Sequence, residues 1–196
     1  REHLGELFDV ILNKTVVSID YKPFDKEKIN YIVSPYFLKQ YNSRWFLLCK
    51  DKNNNNLLNL PLDRIINICL KPEEIFIPSN INFADYFEDM IGVTKFDDAE
   101  PKKIIFWIKK ERSYYIQTKP IHLTQTLIKD NDIKLRLQKE NPNLINGDFY
   151  YINVLINYEL INTILSFGKD IVIIEPLDVR QKIINVILEM KKQYLL

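Results

Sequence analysis

The sequence predicts an α+β chain of two consecutive units, and three observations carry that prediction. First, residues 4–70 run as one amphipathic helix followed by about five short strands with tight connections, the pattern of a small closed β-barrel. Second, residues 102–192 alternate strands with two helical stretches, the pattern of a ferredoxin-like α/β sandwich. Third, the stretch from Lys71 to Pro101 has linker character, with one short helical segment, "FADYFEDMIG". The expected organisation is therefore a barrel unit over residues 1–77, a linker over 78–100 and a sandwich over 101–196.

Each element has its own signal. "HLGELFDVILN" places Leu4, Leu7, Phe8 and Ile11 on one helical face, with Asn13 able to end the helix. "TVVSIDY" alternates, with Val17, Ile19 and Tyr21 on one side, and "KPFDKEK" reads as a turn. "INYIVSPYFLKQY" and "SRWFLLCKD" form a hairpin across "NS", in which Leu38, Trp45, Leu47 and Cys49 supply apolar positions. The "NNNN" run at 53–56 is a polar loop tip, and "LLNLPLDRIINICL" supplies the last strands, broken at Pro61. In the second unit, "KKIIFWIKK", "FYYINVLI" and "DIVIIEP" are strands. "YELINTILSFG" is a helix closed by Gly168 in the left-handed conformation, and "LDVRQKIINVILEMKKQ" is a second helix. Residues 131–148 are polar and read as irregular.

Composition narrows the function. With 46% hydrophobic and 27% charged residues the chain has the balance of a soluble globular protein, expected in the cytoplasm. A net charge of +1 gives no overall pull toward nucleic acid or membrane, so any polyanion must meet a local patch. No apolar run is long enough to span a bilayer. The chain begins with Arg1, which suggests a piece of a longer protein. Cys49 and Cys69, without CxxC spacing, read as two buried thiols.

Chemistry-bearing motifs are scarce. The two histidines, His3 and His122, stand apart, and no HExxH, GxSxG, glycine-rich phosphate loop or Cys/His cluster occurs. The acidic pairs Glu73-Glu74 and Asp97-Asp98 fall in the linker, where solvated charge is the expected role. We therefore expect no enzyme activity, no catalytic residue, no metal site and no cofactor. The candidates left are polar residues at strand ends. Arg44 precedes "WFLL" and Arg64 follows "PLD", and guanidinium groups bind carboxylate or phosphate bidentately and stack on aromatic rings. Tyr21, Tyr36, Tyr41 and Trp45 could supply stacking planes for a base. The alternative is a solvated Arg44 at its strand end and an Arg64 paired with Asp63 or another acid. Arg44 and Trp45 cannot line one pocket without a bulge, whereas Ser34 and Tyr36 share one side of their strand.

These residues also carry a resemblance. "SRWFLLCKD" followed by "PLDRI" resembles the signature of the WYL-domain family of bacterial transcriptional regulators, named for a Trp-Tyr-Leu triplet; here the triplet reads Trp45-Phe46-Leu47. "VVSIDYKPF" and "SPYFLKQYNSRW" match the first strands of that domain, and "LPLDRI" matches the strand with its recurrent arginine. "FEDMIGV", "IQTKPIHLTQ", "NYELINTILSFGKDIVIIEP" and "VRQKI" fall in the order of the C-terminal extension domain that accompanies it. The resemblance covers residues 3–192, apart from the insert at 131–148. It implies an Sm/SH3-like barrel that binds a nucleotide or nucleic-acid-like anionic effector, and an extension domain that makes a homodimer. DNA would be bound through a helix-turn-helix domain that has no counterpart in these residues. Carried over by position, the ligand-binding candidates are Tyr21, Ser34, Tyr36, Arg44 and Arg64, with Trp45 and Leu47 as packing support. The competing expectations are a module that binds single-stranded nucleic acid directly, or a protein-interaction domain with a degenerate pocket.

Overall fold

The computed structural model describes residues 3–96 and 99–195. The fold is α+β, as expected, and the chain divides into two compact units, Arg1–Tyr86 and Phe87–Leu196. Residues 78–86 thus belong with the first unit and 87–100 with the second.

The first unit begins with helix α1 (Leu4–Leu12), then strands β1 (Val17–Tyr21), β2 (Ile29–Tyr41), β3 (Arg44–Asp51), β4 (Leu57–Pro61) and β5 (Ile65–Leu70). The strands form an antiparallel sheet in the order β4-β3-β2-β1-β5. Its two edges, β4 and β5, are consecutive in the chain and separated only by a 3-10 turn, Leu62–Arg64. The sheet must therefore curl until its edges approach, although among the described residues no ladder joins β4 to β5. Val17, Ile19 and Tyr21 face the core, where Leu7, Val33, Leu47 and Leu60 join them.

On α1, Leu7 and Val10 are buried and Leu4 and Ile11 pack against the core, while Phe8 is 55% exposed. The apolar stripe is therefore rotated from the expected one, because Val10 takes the inward place given to Phe8. Asn13 caps the helix, its N–H donating to the Asp9 carbonyl at 3.0 Å. Asn42 and Ser43, with φ of 47° and 62°, make the two-residue hairpin turn whose twist matches that of the flanking strands. Cys49 is buried, but Cys69 is exposed, contrary to expectation. The β1–β5 register shifts between Asp20 and Tyr21, so Ile65 and Ile68 face inward and Cys69 faces out.

The second unit holds strands β6 (Lys102–Lys109), β7 (Thr126–Leu127), β8 (Gly147–Val154) and β9 (Ile171–Glu175) in the antiparallel order β7-β8-β6-β9. That is the split β-α-β order of a ferredoxin-type sheet. A one-turn helix, α2 (Phe83–Tyr86), is all that forms of the expected 83–92 segment, and it lies in the first unit. The helices of the second unit are α3 (Lys110–Thr118), α4 (Asn131–Glu140), α5 (Tyr158–Ser166) and α6 (Leu177–Tyr194). Gly168, at φ +58°, ends α5 as expected, and the buried Asn157 starts it by accepting the Leu160 N–H at 2.9 Å.

Residues 131–148 are not irregular: α4 occupies 131–140, capped by the Asp130 carboxylate, and β8 begins at Gly147. Leu137, fully buried, joins Ile105, Trp107, Phe149 and Ile174 on one face of the sheet. The insert therefore covers a face that a two-layer sandwich leaves open, and β6 is buried on both sides. That cover is why Ile105, Trp107 and Phe149 are buried, while Ile104, Phe106, Ile108 and Ile152 are buried on the opposite face of the sheet. Among the described residues no helix is long and apolar enough to cross a membrane.

Candidate functional site

The structure sorts the expected site residues into four places within the first unit. Tyr21, at 6% exposure, belongs to the core, with its ring 6.0 Å from that of Tyr31. It offers no free stacking plane, because the odd positions of β1 all point inward.

Ser34 and Tyr36 meet on one backbone unit of their own chain. The buried Ser34 Oγ accepts the Ile77 N–H at 3.0 Å, and the Tyr36 hydroxyl donates to the Ile77 carbonyl at 2.8 Å. Lys52 extends this clamp, its Nζ lying 2.6 Å from Glu74 Oε2 and 2.9 Å from the Ile75 carbonyl. The rings of Phe76 and Phe83 each sit 5.8 Å from the ring of Tyr36. Residues 74–83 thus form a strap held on β2 and on Lys52, just past the end of β3.

Arg44, Asp63 and Arg64 form a corner at the 3-10 turn. Arg44 makes a two-pronged pair with Asp63, Nε to Oδ1 at 2.8 Å and a second guanidinium N–H to Oδ2. The hydrogen-bonded Arg44 holds the Asp63 carboxyl below its ordinary range, and Asp63 raises the Arg44 guanidinium in turn. Both side chains are partly solvated, at 36% and 52% exposure, so the pair adds little to stability. The alternative pairing reverses the expected one, since Asp63 bonds Arg44 rather than its neighbour Arg64.

The Arg64 guanidinium instead lies on the face of Phe24, 3.7 Å from the ring centroid. Its Nε is buried with no hydrogen-bond partner among the described residues. Around it is an open cavity of about 390 Å3 whose lining includes Lys22, Phe24, Asp25 and Asp63. An arginine on an exposed aromatic ring, beside a lysine, can accept a planar anionic ligand by stacking and charge-assisted hydrogen bonding. Phe24, 66% exposed, and Lys22 escaped the sequence reading because "KPFDKEK" passed as a turn. An exposed Phe beside Lys in a turn was the available signal.

Trp45 lies elsewhere. It lines an apolar groove of about 600 Å3 with Leu4, Phe8, Ile11 and Leu38, as a packing residue. His3 pairs with Glu6, and His122 is buried with Nδ1 on the Thr124 hydroxyl, burial lowering its pKa. Glu74 is held by Lys52 and Glu73 lies 3.6 Å from Lys71, while Asp97-Asp98 fall outside the described residues.

Comparison with known proteins finds a family match for part of this chain. Residues 2–70 match the model of the WYL domain. Most of the first unit is therefore a WYL domain. No curated protein matches the chain. Among solved structures, a "CRISPR Cas-related protein" aligns over 98% of this chain and 52% of its own, at 13% identity and a TM-score of 0.54. Proteasome accessory factor B/C (PafBC) of Arthrobacter aurescens aligns over 91% of this chain and 26% of its own, at 14% identity and a TM-score of 0.39. The chain thus spans about half and about a quarter of the length of those two proteins.

Proposed function

We propose that this chain is the effector-sensing and dimerising region of a bacterial, cytoplasmic transcriptional regulator. Its WYL domain takes an anionic, nucleotide-like ligand at the Lys22–Phe24–Arg64 corner. The observation that carries this reading is Arg64, stacked on an exposed ring with a buried Nε that has no partner among the described residues. Arg44 is the positioning residue: by holding Asp63 it keeps a carboxylate from neutralising Arg64. DNA would be bound by a separate domain, and the chain would carry no turnover of its own. A reproducible turnover lost on one point substitution would overturn that last part.

A panel of mononucleotides and a short single-stranded oligonucleotide, titrated calorimetrically, tests the site. Arg64→Ala removes a charge-assisted contact of roughly 1.5–3 kcal/mol, about tenfold or more in affinity. Arg64→Lys should restore part of it, because a point charge lacks the planar fork. The melting temperature should stay within a degree or two, since Arg64 is partly exposed. A melting shift without loss of binding would assign Arg64 to packing and refute the reading. Direct single-strand binding is the second reading, favoured by the exposed Phe24 ring. It requires a steep salt dependence that grows with oligonucleotide length. Light scattering at micromolar concentration tests the dimer, and a mass near 23.4 kDa would count against it.

A further inference from the structure

The second unit carries a groove that sensing by the WYL domain leaves unused. It lies between α5, β9 and α6 and encloses about 560 Å3. Ile164 and Ile173 line it, and α6 contributes Ile183, Ile187, Met190 and Tyr194 at helical spacing. Only Ile183 of these four is buried; Ile187 is 50% exposed, Met190 44% and Tyr194 83%. Packing within the unit does not account for such a row of exposed apolar side chains.

The charged residues on the groove are all cations: Lys169, Arg180 and Lys191. Among the described residues none of the three is in an ion pair, whereas the basic residues Lys102, Arg112 and Arg136 of the same unit are. The acids of α6 are elsewhere, Asp178 on Lys102 and Glu189 off the lining.

We propose that this groove docks an acidic amphipathic helix of a partner protein, with its apolar ridge on Ile187 and Met190 and its carboxylates on Lys169, Arg180 and Lys191. Charge selects this occupant. A second copy offering the same groove by twofold symmetry would set three cations against three cations. Carboxylates flanking an apolar ridge would meet all three, in the helix-in-groove mode. The lining stretch of α6, Arg180 to Tyr194, covers about 21 Å at 1.5 Å per residue, about four turns of a partner helix.

Fluorescence anisotropy tests this with two synthetic peptides of about 16 residues, a length that matches the groove at 1.5 Å per residue. Both carry Leu on one helical stripe; one has Glu beside it, the other Lys at those positions. The Glu peptide should bind at least about tenfold more tightly than the Lys peptide and weaken as salt rises. An Arg180→Glu/Lys191→Glu double variant should lose at least about tenfold in affinity for it, with its thermal midpoint unchanged. Equal affinity for the two peptides, or full affinity in the double variant, would overturn the proposal. So would a dimer that Ile187→Asp dissociates, which would give the groove to a second copy, or stoichiometric displacement of the Glu peptide by sodium oleate, which would make it a lipid site.

Discussion

The clamp on Ile77 makes the sharpest stability prediction. Ser34→Ala removes the Oγ that accepts the Ile77 N–H at 3.0 Å and leaves a buried methyl in its place. Water cannot take over the lost bond while the strap stays docked, because Ser34 has no exposed surface. Leaving such a donor unsatisfied costs about 1–3 kcal/mol. Tyr36→Phe removes the 2.8 Å bond to the Ile77 carbonyl from a site only partly buried, so its cost is nearer 0.5–1.5 kcal/mol, the net worth of an ordinary hydrogen bond. The two bonds grip one residue, so the double variant should not be additive. Once either variant has freed the strap, the second should cost less than it does alone. Hydrogen exchange at the Ile77 amide reads this directly. Ser34→Ala should accelerate it by about 5- to 150-fold, as 1–3 kcal/mol implies. Amides of the β2–β3 ladder, such as those of Leu38 and Leu47, should slow or quicken far less. If exchange rises uniformly over the sheet, the clamp is part of the global fold rather than a local latch. If it does not rise at Ile77, the bond contributes nothing.

Two further outcomes follow from the placement of titratable groups. One thiol per chain, that of Cys69, should react with Ellman's reagent in the native protein and two after denaturation, because burial drives the Cys49 thiol far up and seals it from reagent; two fast native thiols would contradict the burial of Cys49 on β3, and none would contradict the β5 register. At Asp148, burial works against the carboxylate, but hydrogen bonds from Ser113 and Lys110 outweigh it and hold the pKa below the ordinary 3.8. Its contribution is therefore complete above about pH 4 and lost as pH falls through the lower native value, so Asp148→Asn should give a shallower acid limb in stability against pH, and parallel limbs would refute the assignment.

Much of the fold is legible in local pattern, and the parts that are not have identifiable causes. Alternation in "TVVSIDY" and the Asn-Ser turn place β1 and the β2–β3 hairpin correctly, because both are decided by neighbours in sequence. The α4 helix is missed for a different reason. Of its three apolar residues only Leu137 is buried, while Ile133 is 40% and Leu135 69% exposed, so no amphipathic stripe advertises it. The Asp130 cap and the Ile133–Leu137 spacing were the available signals. Cys69 is misplaced because one shifted register turns a strand face over, and a bulge leaves no mark in alternation.

The candidate site fails to be legible in a more instructive way. The two-residue spacing of Ser34 and Tyr36 does put both side chains on one target, yet that target is Ile77, 43 positions beyond Ser34. Local pattern reports which residues face together and is silent on what they face. The consequence bears on sensing. A ligand that used Ser34 and Tyr36 would have to displace the Ile77 backbone and forfeit both of its hydrogen bonds, whereas the Arg64 corner stands open and asks for no such exchange. Ligand binding at Arg64 should therefore leave the Ile77 amide as protected as before, while binding at the clamp should expose it. Measured with the same ligand, exchange at Ile77 separates the two sites without a structure of the complex.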